Sequence, residues 1–130
     1  MTGDRRQSAF IFLRLVVAGL LLLHGAARIY LGIVDDFGEF LTLKQFPLGF
    51  YLAWAITIFE IIGSIILASG YYVSILALVF AVHLLAGILL VHLKDGWFVV
   101  GAGRNGVEYS VLLIVVFLSI AVANLGKSSK

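Results

Sequence analysis

Glu60 and His83 stand in the middle of long apolar stretches, where a charge or an unpaired polar group is expensive. A lone carboxylate at that depth would be protonated or paired. Histidine exchanges protons near neutral pH, so a Glu–His pair suits proton handling. A buried hydrogen bond that locks two helices would use the same residues. Glu60 lies ten residues before Gly70 and His83 thirteen after it, a depth difference of ~4–5 Å at ~1.5 Å per residue. The two are expected to meet directly or through a water.

A second polar group lies toward the other face. His24 and Arg28 are four residues apart and share one helix face. Counted from Leu31, His24 is ~10 Å below the boundary of its stretch, whereas Glu60 is ~20 Å from that side. His92, Asn105, Glu108 and Tyr109 fall near the ends of later stretches. The expected layer pairs Arg28 with Glu108 and sets His92 and Asn105 alongside. It would line a ligand pocket, or fix helix order by a salt bridge. A metal site is not expected. His83 and His92, nine apart, point about 180° apart on one helix, and no H-x-x-x-H or E-x-x-H pair occurs. Arg14, near the start of the first stretch, is placed to snorkel.

The elements that carry these residues are four apolar stretches, roughly 9–31, 47–69, 71–93 and 106–125. Each is near the ~20 residues that cross a ~30 Å hydrocarbon core. With 62% hydrophobic residues, 12% charged residues and a mean hydropathy of +1.14, the chain has far more apolar surface than one soluble core could hide. The expected fold is an all-α membrane protein, one domain over residues 1–130, built as a four-transmembrane-helix bundle. The first stretch exceeds a signal-peptide core and carries Arg14, His24 and Arg28, so it reads as a retained span.

Between spans one and two, Ile33, Phe37, Phe40, Leu41 and Lys44 recur at helical spacing, interleaved with Asp35, Asp36 and Glu39. They predict a short amphipathic helix in the interface. Pro47 is expected to open span two. The Ser69-Gly70-Tyr71 link predicts an antiparallel hairpin. Gly96, Gly101 and Gly103 with Trp97 and Phe98 predict an ordered, glycine-bent surface segment. Gly19, Gly25, Gly63, Ala68 and Gly87 offer small surfaces for close helix approach.

Nine basic residues without a basic run exclude a nucleic-acid surface. The absence of cysteine excludes disulfides, thiolate metal sites, iron–sulfur clusters and dithiol relays within the chain. Lys and Arg number five on the side of the termini (Arg5, Arg6, Arg14, Lys127, Lys130) and four on the other (Arg28, Lys44, Lys94, Arg104). The termini therefore lean cytoplasmic.

The order and spacing of these residues resemble the DoxX family of small four-span membrane proteins. The marks run from Leu13 to Ala123: Arg14, His24-Gly25 and basic Arg28 in span one, Phe46-Pro47, Glu60-x-x-Gly63, His92, Gly96-Trp97-Phe98, and Asn105-Gly106-Val107-Glu108-Tyr109. The chain departs from the family at Arg28, where lysine is frequent. The resemblance implies a protein integral to a bacterial or archaeal cytoplasmic membrane. The family takes its name from a subunit of a thiosulfate:quinone oxidoreductase. The first expectation is accordingly a redox-associated subunit binding a quinone or similar lipid-soluble molecule. His24, Arg28, His92, Asn105 and Glu108 would bind the ligand, and Glu60 and His83 would move protons. Trp54 and Phe59 would pack on the ring, or make ordinary core or lipid contacts, the latter being the first expectation. The alternative is a non-enzymatic anchor or assembly partner in a larger complex. A protein partner or homo-oligomer is expected in either case. A proton-coupled carrier ranks last, because no internal repeat is visible.

Overall fold

The computed structural model describes residues 2–127, which form five α-helices and no strand. They are α1 (Thr2–Tyr30), α2 (Val34–Leu43), α3 (Gly49–Ser69), α4 (Val73–Gly87) and α5 (Glu108–Ala123). Helix α4 runs on through a π turn, Ile88–His92, and a 3-10 turn, Leu93–Asp95. Three segments are long and apolar enough to cross a membrane: Gly3–Tyr30, Gly49–Ser69 and Val73–Asp95. Large apolar side chains such as Phe12, Leu23, Ile62, Ile75, Val82 and Leu112 stand exposed along the helices. That surface suits lipid rather than water.

The fourth apolar helix is shorter than its sequence suggested. Gly106 and Val107 do not join it; they close the preceding loop, their N–H groups bonding back to Phe98 O and Gly96 O at 3.0 Å each. Helix α5 therefore begins at Glu108 and has 16 residues. Pro47 likewise stands outside its helix. It sits in a turn whose neighbours Gln45 and Leu48 have φ of 65° and 56°, and α3 starts at Gly49.

By contact density the chain divides into two units, one of Ala18–Ser69 and the other of the chain before and after it. In the first unit, α2 packs on the beginning of α3. Val34, Leu41 and Ala53 form its buried centre, with Phe37, Phe40, Phe46, Leu52, Trp54 and Ile56 around them. The contact is too close for side chains at two positions. A Cβ on Gly38 would lie 2.9 Å from Phe50 Cα, and one on Gly49 would lie 2.6 Å from Gly38 O. The expected amphipathic helix is present, and its apolar face is held by α3.

In the other unit, α4 and α5 run antiparallel. Phe80 and Phe117, both fully buried, stack with centroids 5.5 Å apart. Nearer the other end, Ser74 Oγ donates to Ala121 O at 2.9 Å. Arg14 is half-buried, and its Nη2 would lie 3.4 Å from a Cβ on Gly70. It packs on the turn before α4.

A buried arginine–carboxylate site and an ordered loop

Helices α1 and α3 meet through Gly25. A Cβ there would lie 3.2 Å from both Glu60 Cβ and Thr57 O and 3.0 Å from Ile61 Cγ1. This contact sets the depth of everything near it. Gly25 is five residues from the end of α1, whereas Glu60 is eleven residues past the start of α3. The end of α1 thus stops about six residues, ~9 Å, short of the start of α3. Helix α2 fills the step.

That offset brings Arg28 down to Glu60. Arg28 Nη1 donates to Glu60 Oε2 at 2.9 Å and to Thr57 Oγ1 at 2.9 Å. Thr57 Oγ1 donates in turn to Ala53 O at 2.8 Å. The Phe37 ring of α2 covers the guanidinium, its centroid 4.6 Å from Cζ. The side chains of Arg28 and Glu60 are only 11% and 2% exposed. The expected pairing of Arg28 with Glu108 is corrected: its carboxylate partner is Glu60. Span ends counted on one plane hide this contact, because the Gly25 register shifts α1 along α3.

Glu108 has a different task. Its Oε1 accepts the Val99 N–H at 2.9 Å, and its own N–H donates to Trp97 O at 3.0 Å. Asn105 donates from Nδ2 to Asp95 Oδ2 at 2.8 Å, and its carbonyl oxygen lies 2.9 Å from His92 Nδ1. Asn105 takes φ 56°, and a Cβ on Gly106 would fall 2.6 Å from Phe98 O. Residues 95–108 are an ordered loop closed by these contacts, which exposes Trp97, Phe98 and Val100. The structure therefore brings His92, Asn105 and Glu108 together as the frame of this loop.

The remaining residues are placed as follows. His24, one turn before Arg28, is exposed on α1, while Arg28 turns inward. His83 is half-buried on α4, in the other unit from Glu60. Tyr109 is exposed. Trp54 belongs to the α2–α3 core. Of the small residues, Gly25 makes a close helix contact, whereas a Cβ on Gly19 or Gly87 would meet nothing within 4 Å.

Sequence reasoning missed Thr57, Phe37 and Asp95. Thr57 carried a usable signal, since it precedes Glu60 by three and shares its face. Phe37 was visible only as an apolar position of α2.

Chemically, the arginine site offers a charge-assisted donor held in a fixed plane within apolar surroundings. The DoxX family model matches residues 9–93. The match takes in α1 from Ala9, α2, α3 and the third span, and ends before the loop and α5. No curated protein and no solved structure gives a match.

Proposed function

The chain belongs to the DoxX family of membrane proteins, and on that premise we propose that it is a redox-associated membrane subunit binding a quinone or similar lipid-soluble molecule. One observation carries the reading: a charged pair, Arg28–Glu60, is buried 2.9 Å apart between two helices apolar enough to span a membrane. Apolar residues of similar volume would hold such helices as well or better. The pair therefore adds polar recognition at a cost in stability.

The residues fit such a ligand. Among the described residues, every hydrogen bond of the Arg28 guanidinium leaves from Nη1, so its remaining N–H groups are available to a carbonyl oxygen. A bound quinone would supply the capacity to carry electrons and protons in the lipid phase. Arg28 orients an oxygen, Glu60 and Thr57 hold Arg28, and α2 with Phe37 keeps water from the pair. Glu60 and His83 are the proton-handling residues of this reading, and His24, with His92, Asn105 and Glu108, belongs to its ligand-binding set. Helix α5 is taken as a fourth crossing of a four-helix bundle in the cytoplasmic membrane, with the termini in the cytoplasm. Electrons pass to or from a partner protein.

The test uses the full chain in nanodiscs, titrated with a decyl-substituted benzoquinone. Saturable binding that weakens in Arg28→Ala is expected. Absence of saturable binding, with Glu60→Gln and His24→Ala silent in cells, would remove the reading.

A second reading is an anchor or assembly partner. The triad favours it in one respect, since Arg28, Thr57 and Glu60 tie α1 to α3 without any ligand. Native mass spectrometry of the gently solubilised complex separates the two. A stoichiometric protein partner with no small molecule supports the anchor.

A further inference from the structure

We propose that the free edge of the Arg28 guanidinium, Nε and Nη2, selects an uncharged oxygen acceptor and discriminates against anions. This rests on the binding reading above and names the chemical class that the site takes.

The edge is aimed. Both bonds of Nη1 are set from α3, one to Glu60 Oε2 and one to Thr57 Oγ1. The Thr57 hydroxyl hydrogen is committed to Ala53 O, so toward Arg28 this hydroxyl can only accept. Glu60 is held near α1 by the Gly25 contact, and Phe37 lies over the guanidinium. A planar group fixed at one nitrogen and covered by an aromatic ring has little rotational freedom. Its other edge therefore points one way.

The guanidinium already has a carboxylate partner. Arg28 and Glu60 sum to zero at 2.9 Å. A carboxylate or phosphate arriving at the free edge must displace Glu60 or leave a net negative charge in apolar surroundings, and both are costly. A neutral carbonyl accepts the N–H groups and leaves the balance unchanged. The surroundings act in the same direction. Ala18–Ser69 carries four acids (Asp35, Asp36, Glu39, Glu60) against two bases (Arg28, Lys44), a net charge of −2. Three of those acids lie on α2, the helix that supplies Phe37.

The experiment compares two probes of matched ring and tail, a decyl-substituted benzoquinone and a decyl-substituted benzoate. Both are titrated at neutral pH into the full chain in nanodiscs of zwitterionic phosphatidylcholine. The wild type is expected to bind the quinone at least about tenfold more tightly. Benzoate binding as tight as quinone binding overturns the inference while leaving the binding reading intact. Saturation by neither probe overturns both.

Two variants sharpen the outcome. Glu60→Gln removes the compensating charge and is expected to improve benzoate binding about tenfold. Arg28→Lys keeps the charge but loses the planar edge. It is expected to weaken quinone binding about tenfold while benzoate binding stays within about twofold of the wild type. Quinone affinity unaltered in Arg28→Lys would overturn the assignment to the guanidinium edge. The wild-type comparison decides the matter alone if a variant fails to fold.

Discussion

Arg28 Nη1 lies 2.9 Å from Glu60 Oε2, across 32 residues of chain and between two helices whose ends are offset by more than a turn. The offset makes this contact, since an arginine close to the end of one apolar helix meets a carboxylate in the middle of another. Long cationic side chains near span ends ordinarily reach out to head groups. Here the chain turns in.

Breaking the pair from one side is expected to cost more than removing it. Glu60→Ala leaves a buried, uncompensated guanidinium and should lower unfolding stability by about 3 kcal/mol. The double replacement Arg28→Met with Glu60→Met should recover most of that loss. Reversible unfolding in mixed detergent micelles measures both. A double variant no better than the single one would argue against a charge origin.

The register contact can be tested without touching a charge. Gly25→Val places methyl groups against Glu60 Cβ and Thr57 O and should destabilise by about 2 kcal/mol. Gly19→Val, on an open part of the same helix, should stay within about 0.5 kcal/mol of the parent. Equal effects at the two positions would dissociate the α1–α3 register from Gly25.

The loop frame predicts a local effect of Glu108. Glu108→Ala frees the Val99 N–H and should weaken closure of the loop by about 1.5 kcal/mol. Hydrogen exchange at Val99 should then accelerate about tenfold, while amides inside α5 keep their protection. Acceleration spread through α5 would mean that Glu108 supports the helix more than the loop.

Topology is open to a direct test, because the chain has no native thiol. Single replacements Gln7→Cys and Lys127→Cys should label from one side of sealed vesicles, and Lys94→Cys and Arg104→Cys from the other. Lys127 labelling from the side of Arg104 would mean that α5 does not cross.

Much of the helical layout was legible. The spacing of Phe37, Phe40 and Leu41 announced α2, and three of the apolar stretches are helices of spanning length. Depth was not legible. Residue counts measure distance along one helix, whereas the alignment of α1 with α3 is decided by where a backbone without a side chain lets them touch. The partner of Glu108 escaped for a similar reason: it is a backbone N–H, and sequence carries no mark for one. His92 and Asn105 stand beside each other because both border the glycine-bent segment that joins them.

The π turn at the end of α4 has its own consequence. Leu93 N–H bonds back five residues to Ile88 O, so this turn holds one residue more than an α-helical turn would. A helical wheel drawn through span three misplaces everything beyond Ile88 by roughly a quarter-turn, and His83 and His92 are no longer diametrically opposed. The same residues wound as a regular α-helix would carry His92 about a quarter-turn away from Asn105. The surplus residue works as a swivel that hands His92 from the span to the loop.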